Sequence, residues 1–168
     1  MKAAARRVTK YWIAVLIAGL ASALCASGAQ AQPARPPEGC VGTASDTWLF
    51  VSVENVRSGN GLIAFTLYAD DRSRFLVKRG SLAVMRVPAQ QGTTRACIFL
   101  PKPGTYAVAV YHDENGDQGF DRSGLGFPVE GFGFTNNPAT LAGLPSFNSV
   151  RLSVPRTGLL TRIRLKYP

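Results

Sequence analysis

The stretch HDENGDQGFD, residues 112–121, gathers Asp113, Glu114, Asp117 and Asp121 within nine positions, with no Lys or Arg among them. Counted from Asp113, side-chain oxygens recur at positions one, three, five and nine: Asp113, Asn115, Asp117 and Asp121. In a loop wound around a hard cation the odd-numbered side chains turn inward, and position seven, here Gly119, offers its backbone carbonyl. Three carboxylates and an amide oxygen suit Ca2+, because Mg2+ retains much of its water and Zn2+ takes His and Cys. Glu130 is the nearest later carboxylate and can return as a further ligand, whereas Glu114, at an even position, should face away. The pattern is not an EF-hand: Gln118 replaces the Gly of position six, Gly124 the Glu of position twelve, and no helices flank the loop. The competing reading is an ion-free turn. Asp, Asn and Gly are ordinary turn formers, and Arg122, directly after the last acid, can neutralise part of the charge.

Catalytic chemistry is thinly represented. His112 is the sole histidine, so any Ser-His-Asp or Cys-His arrangement would have to be built on it. Asp113 with Glu130 could in principle serve as a glycosidase pair, but nothing separates that use from metal ligation. No phosphate-cradling Gly loop, CxxC or His-rich metal motif is present. No reaction can be read from the chain, and the expectation is a protein that is not an enzyme.

The elements that must position the acidic loop begin beyond an export signal. Lys2, Arg6, Arg7 and Lys10 form a basic start, Tyr11 to Ala26 an apolar stretch, and Ala29-Gln30-Ala31 a small-residue cleavage site. Residues 1–31 read as a secretory signal, and the apolar run is shorter than the roughly 20 residues of a membrane span. The mature chain is therefore expected in the periplasm or outside the cell, with no transmembrane segment; the export route stays open. Removing the signal takes four of the 19 Lys and Arg and none of the ten acids, leaving a net charge of +5 on 137 residues. That charge favours an envelope protein or an anionic glycan or lipid surface as partner. Nucleic acid is not expected, since there is no basic run.

Residues 32–46 are a Pro-rich arm and 47–168 one domain. Cys40 and Cys97 are the two cysteines left after cleavage, and in an oxidising compartment a disulfide is the simplest reading, against two buried thiols. Strand patterning runs through Thr47–Val56, Leu62–Ala69, Phe75–Val77, Leu82–Val87, Thr94–Leu100, Thr105–Tyr111, Val150–Val154 and Leu159–Tyr167. SGNG at 58–61 reads as the turn that pairs the first two as a hairpin. Arg162, Arg164 and Lys166 alternate with Ile163, Leu165 and Tyr167, a solvated face opposite a core face. No sustained helical period occurs, beyond room for a short turn near Asp71–Phe75 or in the later loop. The fold class is all-β: a single immunoglobulin-like or transthyretin-like sandwich of about seven strands.

Between Tyr111 and Val150 lie almost forty residues without strand patterning, a single long excursion rich in buriable groups such as Phe120, Phe132, Phe134, Leu141 and Phe147. Its aromatics and amides, Phe127, Phe132, Phe134, Asn136 and Asn137, also allow a carbohydrate-binding module as the alternative function. In GFPVEGFGF the glycines read as turns between buried phenylalanines.

The run PGTYAVAVYHDENGDQGFDRSGLGFPVEGFGFTNN, Pro103 to Asn137, resembles the signature of an exported bacterial family known as domain of unknown function 2141, which reads like DENGNGKLD followed by LG-P-EG-GFSNN. The likeness extends more loosely from Trp48 to Tyr167. It implies a small sandwich similar to transthyretin-like domains, and no known activity. Asp117 stands where the pattern usually has Asn, and Gln118 where it has Gly, so the tight turn would have to rest on Gly116 and Gly119.

Overall fold

The computed structural model describes residues 35–140, 144–156 and 158–168. The signal reading at 1–31, the first residues of the arm and Leu141 lie outside them. Eight strands are present among the described residues: β1 (Trp48–Val56), β2 (Leu62–Ala69), β3 (Ala83–Pro88), β4 (Gly92–Phe99), β5 (Gly104–Asp113), β6 (Gly131–Phe134), β7 (Leu152–Val154) and β8 (Leu159–Arg164). A three-stranded sheet runs β4-β1-β8; a five-stranded sheet runs β3-β2-β5-β6, with β7 also on β5. This is an all-β sandwich. Its core lies where Leu49, Val51 and Val53 of one sheet meet Ile63, Phe65 and Leu67 of the other, all fully buried. Truncating such a side chain to Ala costs roughly 2–5 kcal/mol.

Several expectations are corrected. β1 and β2 are not a hairpin: β1 pairs with β4 and, in parallel, with β8, whereas β2 pairs with β3 and β5. The apolar faces of both strands need burial, and placing them in opposite sheets lets each cover the other. Asn55 makes the exit. It holds φ +64°, the ladder shifts register between Glu54 and Val56, and its Nδ2 donates to the Leu165 carbonyl at 2.8 Å.

Phe75–Val77 is not a strand. Leu76 and Arg79 have φ of +55° and +59°, incompatible with a ladder, and Phe75 packs on Tyr68 and Phe147 at 5.2 and 5.5 Å. The short turn expected beside it is a 3-10 turn over Arg72–Arg74, capped by Asp71, which accepts from the Ser73 amide at 2.9 Å. Val150 ends a four-residue helix, α1 (Phe147–Val150), before β7 begins.

The excursion is not strand-free either, because GFGF at 131–134 is β6. Its glycines serve close approach rather than turns: a Cβ at Gly131 would overlap the Tyr167 ring, and one at Gly133 would lie 2.8 Å from the Arg164 carbonyl oxygen. Beyond β8, Phe132 and Lys166 exchange backbone hydrogen bonds of 2.9 and 2.8 Å and join the two sheets at this edge.

Cys40 and Cys97 are disulfide-bonded across 57 residues of sequence. Closing a loop of that length contributes about 4 kcal/mol in the chain-entropy model. Val41 continues the attachment, donating to the Cys97 carbonyl at 2.8 Å and accepting from Phe99 at 2.9 Å, so the arm covers the free edge of β4. Among the described residues no helix is long and apolar enough to cross a membrane.

Candidate functional site

β5 ends on Asp113 and β6 begins at Gly131, with His112 opposite Gly131 in the ladder. That register brings Asp113 and Glu130 to the two sides of the loop's base. Asp113 is wholly buried and organises the first turn, one carboxylate oxygen accepting from the Gly116 amide (2.7 Å) and the other from Gln118 (2.9 Å). Gln118 keeps the turn that the family pattern makes with Gly, by taking φ +67° itself beside Gly116 at +73°. A left-handed conformation costs a non-Gly residue about 1–2 kcal/mol.

The remaining residues follow the odd-numbered alternation. Asn115 accepts from the Asp117 amide, and its Nδ2 donates to carboxylate oxygens of Asp117 and Asp121, each at 3.1 Å. Asp117 holds the Gly119 amide at 2.7 Å. Glu130, only 5% exposed, accepts from the Asp121 amide at 3.0 Å. Burial raises the Glu130 pKa, and Asp121, Asp113 and Asp117 add to the rise. Among the described residues, none of these four acids has a Lys or Arg within 4 Å. Arg122 does not neutralise them: its guanidinium lies over the Phe120 ring at 5.0 Å and donates to the Gly126 carbonyl. Nor do three carboxylates converge to ligand distances among the described residues, since their oxygens are engaged by amides.

Glu114 turns the other way. It accepts from Arg57 Nε at 2.8 Å, pairs with Arg57 Nη2, and accepts from the Ser58 hydroxyl at 2.7 Å. Arg57 holds its carboxyl down to about 2. His112 is fully buried alongside. Its Nε2 faces the Asn60 carbonyl at 2.9 Å and is therefore the donor, leaving Nδ1 to accept from the Tyr167 hydroxyl at 2.8 Å. Arg86, from β3, donates to the Gln118 carbonyl at 2.8 Å. Sequence reading missed Arg57, Ser58, Arg86 and Tyr167 as supports, because each reaches the loop from more than 30 positions away.

The residues considered for sugar recognition meet different surroundings, although Phe132 and Phe134 pack together with ring centroids 6.0 Å apart. Phe134 is buried and Phe127 is 67% exposed. Asn136 and Asn137 take φ of +65° and +47°. Their amides are spent on backbone: Asn136 donates to Arg151 (2.8 Å), while Asn137 donates to Arg162 (2.9 Å) and accepts from Arg164 (2.7 Å).

Comparison with curated proteins and with solved structures gave no match. Residues 51–160, from β1 through the acidic loop into β8, match the family model described as "Uncharacterized protein conserved in bacteria", and the chain belongs to that family, domain of unknown function 2141.

Proposed function

We propose that this is an exported, non-enzymatic sandwich protein whose loop, with Asp113, Asn115, Asp117, Gly119, Asp121 and Glu130 as ligands, holds Ca2+ and is braced by it. The observation that carries this reading is the Glu130 carboxylate, buried beside Asp113, Asp117 and Asp121 with no Lys or Arg within 4 Å among the described residues. Burying a carboxylate costs several kcal/mol unless a cation or hydrogen bonds compensate, and Glu130 receives a single amide hydrogen bond, from Asp121. The Asn115 Nδ2, placed between Asp117 and Asp121, occupies the kind of position a cation takes. Rotating that amide by half a turn presents its oxygen instead. The apolar signal stretch and the Cys40–Cys97 bridge support export to the periplasm or beyond. Both ring nitrogens of His112 and both oxygens of Asp113 are already engaged, which supports a role other than catalysis.

Titration calorimetry on the chain from Gln32 onward tests the metal. Saturable one-to-one Ca2+ binding is expected, with stability rising by about 2.7 kcal/mol at a hundredfold excess over Kd and a much smaller response to Mg2+. A melting temperature identical in chelator and in millimolar Ca2+ would overturn the reading.

A further inference from the structure

Among the described residues the outer face of the five-stranded sheet is only half covered. Side chains alternate along a strand, so Tyr68 of β2, Ala107 of β5 and Phe134 of β6 share this face, and Phe147 and Val150 of α1 cap them together with Phe75. Toward the acidic loop the covering stops. There Thr66, Tyr68, Ala109, Tyr111, Phe132 and Phe134 floor a cleft of about 280 Å3. The Leu76–Lys78 turn, Phe120 and Arg122 of the loop, and Leu144 also line it.

The lining has a definite chemistry. Tyr111 and Phe120 lie 5.3 Å apart, Phe120 and Phe132 6.2 Å, and Phe132 and Phe134 6.0 Å, which makes a continuous row of rings. Ala109 leaves room above the sheet. Tyr68 is 6% exposed, yet among the described residues its hydroxyl makes no hydrogen bond, whereas those of Tyr106, Tyr111 and Tyr167 do. Tyr68 lines the cleft, so a ligand oxygen there can accept the hydrogen bond of its hydroxyl. Lys78 and Arg122 supply positive charge, and among the described residues neither is ion-paired within 4 Å. Among the described residues no carboxylate lines the cleft, although the acidic loop forms one of its sides.

We propose that this cleft binds a small amphiphilic anion, a molecule with an apolar or aromatic body and one carboxylate or comparable oxyanion. The body rests on Ala109 and the ring row, and the anion meets Lys78 and Arg122 with the Tyr68 hydroxyl as a further donor. A volume of about 280 Å3 lies just below the range of roughly 300–1,000 Å3 for small-molecule sites, which selects a short chain or a single ring system. The site stands on its own residues and does not depend on the metal reading.

Octanoate is the probe, with octylammonium as its charge-reversed match, each titrated by NMR in calcium and in chelator. Saturable octanoate binding is expected, with amide shifts centred on Thr66, Tyr68, Ala109 and Phe132 and octylammonium weaker by about tenfold or more, the worth of a charge-assisted contact. Lys78 and Arg122 are exposed, and the double variant Lys78→Glu/Arg122→Glu, titrated at a temperature where its spectrum shows it folded, should lose octanoate affinity by a similar factor. Ala109→Leu should fill the floor and abolish binding. Equal affinity for both probes, shifts centred elsewhere, an affinity unchanged by the charge reversal, or no saturation at millimolar octanoate would each overturn the proposal. Binding that persists in chelator supports the cleft even if the calcium titration of the loop fails.

Discussion

Glu114 and Glu130 flank the same acidic loop and meet opposite surroundings. Glu114 is drawn out of the loop to Arg57 and Ser58, and its pKa falls to about 2. Glu130 is buried at the base of β6 with one amide for company, and its pKa rises. Counting acids in a loop therefore says less than finding the positive partner of each. Glu114 has its cation from the β1–β2 connection, while Glu130 and the three odd-numbered aspartates have none from the described residues.

Separating the two corners by mutation should have the largest effect. Asp121→Ala is expected to abolish most of the calcium-dependent stabilisation, the about 2.7 kcal/mol seen at a hundredfold excess. Glu114→Ala should leave that increment intact and lower stability by about 1 kcal/mol in chelator and calcium alike, because Arg57 is half-exposed and its ion pair is screened. Urea unfolding of both variants with and without calcium reads the two effects separately. Equal calcium increments in the two variants would break the contrast.

Acid titration in chelator sharpens it. Glu130 binds its proton more tightly folded than unfolded, so stability should climb as pH falls through its raised pKa towards the ordinary 4.5. Glu114 acts with the opposite sign. Its contribution is complete above 4.5 and is lost as pH falls from there towards about 2. Stability followed from neutral pH to pH 2 should therefore pass through a maximum. Glu130→Gln should remove the rise and Glu114→Gln should soften the fall.

The smallest expected effect concerns the turn between the corners. Gln118→Gly relieves a left-handed residue while keeping the amide that Asp113 accepts from, and should stabilise by about 0.5–1 kcal/mol in thermal melts, the strain relief being partly offset by backbone entropy.

Period-two alternation made the sandwich legible in the sequence: Leu49, Val51 and Val53, or Ile163 and Leu165, bury as the pattern requires. The bridge between Cys40 and Cys97 was legible from cysteine count and the expected oxidising compartment. Partner choice was not. The SGNG turn reads as a hairpin wherever it stands, and only the opposing burial of β1 and β2 sends them to different sheets. β6 escaped notice because Gly-Phe-Gly-Phe has the composition of a loop, and its glycines answer to Tyr167 and Arg164, residues more than 30 positions away. Within the loop the odd-even division was readable, since Glu114 and the aspartates diverge by local geometry. The identity of Glu114's partner was not, because Arg57 lies 57 positions away.

Tyr167 touches both ends of the acidic loop. Its hydroxyl donates to His112, one residue before Asp113, and its ring packs on Gly131, one residue after Glu130. The same hydroxyl accepts from the Arg57 amide. Residues met 55 and 110 positions earlier in the chain thus converge on a single ring. Such distant closures slow folding; the β5–β6 ladder sets the spacing of the loop's two stems, and the segment around Tyr167 buttresses it. The affinity of the loop for any ligand should then also report on whether the segment around Tyr167 is docked.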